Sequence, residues 1–140
     1  MRGLRRCCTP AAIGLAALQA VASHRNLAAR VDGSTIEVTA LWVAKTPWVS
    51  GGLRTDLPGA PDDGALAVAL CVGLTRSGAL GALAGLARGR FLGRPKCHGW
   101  PAERVEVELE RDGPLELDGE LVRARRVVFE VVPRAMRVCA

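Results

Sequence analysis

Four Asp-Gly dipeptides, at 32–33, 63–64, 112–113 and 118–119, punctuate runs in which apolar and polar residues alternate. Alternation with a period of two puts successive side chains on opposite faces of a strand. Asp-Gly supplies the positive φ angles that a two-residue hairpin turn needs. A chain punctuated in this way is expected to fold as antiparallel strands joined by tight corners, and each pair taken alone reads as a turn.

The strands can be placed. "RNLAARVDGSTIEVTALWVAK" reads as two strands meeting at Asp32-Gly33, with Ile36, Val38, Ala40 and Trp42 on the inner face of the second. "ALAVALCVGL", residues 65–74, sets Leu66, Val68, Leu70 and Val72 against small residues, the pattern of a strand covered on both faces. "RVEVELE" alternates without interruption, with Val105, Val107 and Leu109 inward. Asp112-Gly113 is expected to turn the chain, "LEL" to form a short strand, and "RVVFEVV" to close the sheet before Pro133.

Two segments read as helix. "SGALGALAGLARGRFLG" follows the central strand, with Ser77 as candidate cap and Leu80, Leu83 and Leu86 toward the core. Its Gly81 and Gly85 each cost about 1 kcal/mol relative to alanine, so packing must hold it. Residues 1–24 form an N-terminal extension: either a helix after Thr9 and Pro10, or a signal-like segment whose basic start and Ala20-Val21-Ala22 suit cleavage. Its apolar stretch is too short and interrupted to span a membrane. Between the strands, residues 46–64 carry three prolines and four glycines, which argues against regular structure there. The fold class expected is mainly β, an antiparallel sandwich or barrel-like domain over 25–140, with one or two helices.

Charge and cysteines narrow the function. The chain carries a net charge of +5, which favours anionic partners such as phosphate groups or an anionic membrane surface. No basic run is interleaved with stacking aromatics, so nucleic acid is not an expected partner. The five cysteines are odd in number and form no CxxC pair, which signals neither a disulfide framework nor a zinc site and suits a cytoplasmic location. Cys71 reads as a small buried hydrophobe. His24 and His98 are read as exposed or hydrogen-bonded rather than ligating. Trp42, Trp48 and Trp100 are read as packing residues, with Trp48 also a candidate for lining a lipid entrance.

The order of segments carries more than any one of them. "GGLRTDLPGAPDDGALAVAL" is followed some fifty residues later by "PLELDGELVRARRVVFEVVPRAMRV". This order resembles the C-terminal domain of the soluble diacylglycerol and lipid kinases of bacteria, relatives of sphingosine kinase and NAD kinase, over roughly residues 25–140. The resemblance implies a β-sandwich that forms a nucleotide cleft with an α/β domain. It implies that Asp118 is the general base that takes the proton from a lipid hydroxyl, with Glu120 beside it. It implies a Mg²⁺ site made by the Asp63 carboxylate with the backbone carbonyls of Ala60 and Ala65, the oxygen-only ligation this ion prefers. ATP would be co-substrate and a lipid or anionic membrane surface the partner, with the chain peripheral to the membrane.

Two departures accompany the resemblance. Alanine stands at 67, where the family strand often carries an acid. No glycine-rich nucleotide motif or P-loop occurs in these residues, so the expected function is the C-terminal part of a lipid kinase, needing a separate nucleotide-binding domain chain and inactive alone. The alternative is a non-enzymatic module that binds lipid or a membrane surface.

Overall fold

The computed structural model describes residues 19, 21–49, 53–60, 62–118, 120–132 and 135. Most of the N-terminal extension, Gly51-Gly52, Gly119 and Pro133 therefore lie outside the described residues. Gln19, Val21 and Ala22 are helical; the rest of the expected N-terminal helix or signal-like segment is not among them.

Six strands form one antiparallel sheet curled into a half-barrel: β1 (Leu27–Val31), β2 (Ser34–Ala44), β5 (Leu66–Val72), β6 (Cys97–Ala102), β7 (Arg104–Leu117) and β8 (Glu120–Glu130). Their order across the sheet is β6-β5-β2-β1-β7-β8. Two short strands, β3 (Trp48–Val49) and β4 (Leu53–Arg54), pair separately, and a helix, α1 (Arg76–Ala87), follows β5. The mainly β, barrel-like class expected from the alternation is the class observed.

β5 sits between β2 and β6 and is buried on both faces, as its two-sided apolar pattern implied. Ala67, Ala69 and Cys71 face a cluster with Leu57, Leu74, Ala82, Leu86 and Phe91. Val68, on the opposite face, packs with Val31 and Val105, against which Trp100 and Val107 lie. The small residues on the first face leave room for Ala82 and Leu86 of α1 and for the Phe91 ring. Cys71 lies across from Cys97, with the sulfurs 3.5 Å apart. Burial, first, and the neighbouring thiol push the Cys71 thiol up to about 12, so it packs as an inert hydrophobe.

Several expectations are corrected. The helix is capped by Thr75, whose hydroxyl accepts from Gly78 N at 3.2 Å, rather than by Ser77. With that start the buried positions are Ala82 and Leu86, and Leu80 is exposed. A side chain at Gly85 would collide with Arg94 and lie 2.7 Å from the Arg90 carbonyl, so this glycine admits the returning chain. The 46–64 segment holds the β3–β4 hairpin, where only loop was expected. β6 was not expected at all: Gly99 and Pro101 weaken the strand signal. Pro101 is tolerated because β6 is an edge strand, and a Cβ at 99 would lie 2.6 Å from Leu92 and 2.9 Å from Leu57.

Asp112-Gly113 does not turn the chain. β7 runs through it, and the β7–β8 register shifts between Glu108 and Gly113. Four residues, 109–112, stand against Arg125 alone, a large bulge. Arg123 donates to the Asp112 carbonyl at 2.8 Å and holds it. The hairpin turn comes later, between Leu117 and Glu120, which pair. Asp118 takes φ +50° there, as a turn of the Asp-Gly type requires.

Candidate functional site

β2 and β7 both run antiparallel to β1, so they run in the same direction and end at the same edge of the half-barrel. β5 begins at that edge, because Ala67 pairs with Ala44 at the end of β2. The two acid-bearing corners, Asp63 just before β5 and Asp118 just after β7, therefore share one end of the sheet. They are not brought into contact. Three strand steps separate β5 from β7, on the order of 14 Å at the usual spacing, and no hydrogen bond or ion pair joins the two carboxylates.

A gap opens between them. β1 starts at Leu27, opposite Val38 of β2, and does not extend to this end. The second half of β2 and the outer part of the β7–β8 arm thus stand apart and enclose a cavity of about 570 Å³. Ala40, Trp42 and Val43 line one side, and Leu115, Leu117 and Val127 the other. Trp42 joins this wall to the core: it is part-exposed, and its ring meets the buried Phe91 edge-on, with the ring centroids 5.5 Å apart.

Asp118 lies on the rim of this cavity. It is exposed, and neither its carboxylate nor that of Glu120 has a hydrogen-bonding or ionic partner among the described residues. Glu120 opens β8 and does not line the cavity. An unpartnered carboxylate beside an apolar groove can accept a proton from a hydroxyl whose apolar portion fills the groove.

Asp63 is held quite differently. Its Oδ1 accepts from Lys45 Nζ at 2.6 Å and from Ala65 N at 2.9 Å, and its Oδ2 accepts from Ala60 N at 2.7 Å. The Lys45 hydrogen bond, then the two backbone N–H groups, hold this carboxyl far below its ordinary value of 3.8. Lys45 Nζ also donates to the carbonyls of Ala60, at 3.1 Å, and Ala65, at 2.6 Å. The three oxygens that the family resemblance gives to Mg²⁺ thus converge on a lysine ammonium. With Lys45 in that position the set does not fit a divalent cation. Among the described residues, no cluster of three His, Cys, Asp or Glu side chains could hold a metal.

Lys45 is the residue that sequence reasoning missed. Its only signal is its place, directly after an eleven-residue strand and 18 residues before Asp63. Asp56 was missed as well: its two oxygens accept from Phe91 N at 2.9 Å and Leu92 N at 2.8 Å and tie the loop after α1 to the 53–60 segment. His24 bonds the Leu74 carbonyl at 2.8 Å, and His98 is exposed on the edge strand. Trp48 is exposed and does not line the cavity. Among the described residues no helix is long and apolar enough to cross a membrane.

The model of the YegS C-terminal NAD kinase beta sandwich-like domain matches residues 3–140. Among solved structures, a candidate diacylglycerol kinase from Bacillus anthracis str. Sterne superposes with a TM-score of 0.61 at 16% identity, over 81% of this chain and 41% of its own. A second structure so described, from the same source, gives 0.62 at 16% identity over 83% and 41%. A diacylglycerol kinase structure from that organism gives 0.53 at 13% over 81% and 42%. The chain spans about two fifths of the length of these structures, and at such identities the likeness is one of fold. No curated protein matched.

Proposed function

Since this chain belongs to the family of the YegS C-terminal NAD kinase beta sandwich-like domain, we propose that it is the lipid-binding, base-carrying part of an ATP-dependent lipid kinase of the diacylglycerol type. What supports this reading is one observation above the others. Asp118, the aspartate of the family's second motif, stands unpartnered on the rim of an apolar cavity large enough for part of an acyl chain.

On this reading the cavity takes the apolar portion of the lipid and leaves its hydroxyl at the rim. Asp118 accepts the hydroxyl proton as the oxygen attacks the γ-phosphorus of ATP. The new O–P bond forms, the bond to the β-phosphate oxygen breaks, and ADP leaves. Glu120 stands two residues away, at the start of β8. ATP, with the magnesium that accompanies it, would be bound with a nucleotide-binding domain, because these residues contain no nucleotide motif. Phosphoryl transfer depends mostly on positioning and electrostatics, so the 140 residues alone should turn over little.

The test is ATP-dependent phosphorylation of diacylglycerol in mixed micelles, with the chain assembled with a nucleotide-binding domain of the family. Asp118→Asn should lower turnover by about 10²- to 10⁴-fold. Full turnover by the variant, or strong turnover by the isolated chain, would overturn the reading.

One observation favours a second, non-enzymatic reading. At the tip of the β7–β8 arm Leu117, Leu121 and Val122 are exposed, Leu121 by 78%, beside Arg123 and Arg125. An apolar tip with a basic flank suits an anionic bilayer surface. Binding to anionic vesicles that weakens with salt and survives Asp118→Asn, with no kinase activity in the assembled protein, would select this reading.

A further inference from the structure

Ala60, Asp63 and Ala65 are arranged around a positive charge. The Asp63 carboxylate accepts from the backbone N–H groups of Ala60 and Ala65, which turns the carbonyls of those two residues and Oδ1 toward one point. Lys45 Nζ stands at that point, 2.6 Å from Asp63 Oδ1, 3.1 Å from Ala60 O and 2.6 Å from Ala65 O. An ammonium has three N–H donors, and here each has an oxygen.

One carboxylate and two backbone carbonyls form the kind of donor set that binds a hard cation. Lys45 is well placed to supply that cation itself. It directly follows β2, whose last residue, Ala44, is laddered to Ala67 of β5. The loop ends two residues before Ala67. Strand pairing therefore fixes both the cation and its cradle, and the ammonium needs no recruitment from solution. A divalent ion entering the cradle would have to give up part of a tightly held hydration shell and displace a like charge tethered beside it.

We propose that Lys45 is the built-in cation of the cradle formed by Ala60, Asp63 and Ala65, standing where a divalent metal would otherwise bind, so that the cradle is held without metal and removal of the lysine uncovers a site for Mg²⁺. This inference stands apart from the kinase reading, since it concerns how Ala60, Asp63 and Ala65 are held and needs neither ATP nor lipid.

The experiment is thermal unfolding of the full chain and of Lys45→Met, each in EDTA and in a millimolar MgCl2 titration. The wild-type midpoint should be the same in both. That of Lys45→Met should lie roughly 5 °C lower in EDTA, and MgCl2 should raise it saturably, but not in the Lys45→Met/Asp63→Asn double variant. A wild-type midpoint that rises saturably with MgCl2 through Asp63 would overturn the proposal. So would a Lys45→Met midpoint equal to wild type in EDTA, or a fall that MgCl2 leaves uncorrected. Should Lys45→Met fail to fold, amide spectra of the wild type with MnCl2 decide the matter. Sharp Ala60 and Ala65 signals support the built-in cation, and selective broadening of them refutes it.

Discussion

At Asp63 the carboxylate accepts three hydrogen bonds and meets a lysine delivered by the end of a neighbouring strand. At Asp118 the same Asp-Gly dipeptide, at the same end of the sheet, leaves the carboxylate with no partner among the described residues and with an apolar cavity beside it. The contrast shows that neighbours supplied by the fold, not the dipeptide, set what an acid can do. Beside Asp63, β5 pairs with β2, and a cation directly follows β2. Beside Asp118, β1 stops short, and the opening it leaves becomes a groove. A saturated carboxylate holds structure, and an open one can move a proton.

The contrast is broken most forcefully at Asp118. Its replacement by asparagine keeps the turn, because asparagine tolerates the left-handed conformation that φ +50° requires. The 10²- to 10⁴-fold loss expected in the assembled kinase assay would then be chemical, with the fold intact. A smaller effect should come from the groove wall. Leu115→Asp places a carboxylate where an acyl chain would lie, and should raise KM for diacylglycerol by about tenfold while kcat changes less. Micelle assays at varied lipid fraction separate the two constants.

Next comes the pH dependence of Asp63. Its folded-state value is depressed, so its contribution is fully present above the unfolded value of about 3.8 and is lost as pH falls from there toward the folded value. The midpoint difference between wild type and Asp63→Asn should hold steady from neutrality to about pH 5 and shrink below about pH 4. Melting curves across that range measure it.

The smallest effect belongs to Glu106. Arg104, at 2.9 Å, and Arg126, at 2.6 Å, hold its carboxyl below the ordinary value. This network lies on the β7–β8 surface away from either corner, so Glu106→Gln should shift the melting midpoint by no more than about 2 °C. A larger shift would mean that the arm, and not the Asp63 corner, carries the electrostatic stability.

Much of this was legible from the residues. The alternation in the first half of β7 is strict, and the two-sided apolar pattern of β5 identified the covered central strand. In β2 the expected face holds only to Val38: the pairing shifts before Ala40, so Leu41 packs with Ile36 and Val38 while Ala40 turns to the cluster of Ala69 and Phe91. The Asp118-Gly119 corner and the family both follow from the order of motifs. β6 was hidden because its Gly99 and Pro101 serve close packing and an edge position, both of them tertiary circumstances. Asp112-Gly113 misled for a related reason: the pair that signals a turn lies in a bulge, which Arg123 holds from the opposite strand. Lys45 could not be paired with Asp63 by spacing, because their meeting depends on where two strands end relative to each other.

The most direct test of the contrast is the thermal midpoint of Asp63→Asn and Asp118→Asn, measured side by side in the isolated chain. The account predicts that the first melts about 5 °C below wild type and the second within about 1 °C of it. An Asp118→Asn midpoint that falls as far as that of Asp63→Asn, or an Asp63→Asn midpoint that does not move, would contradict it.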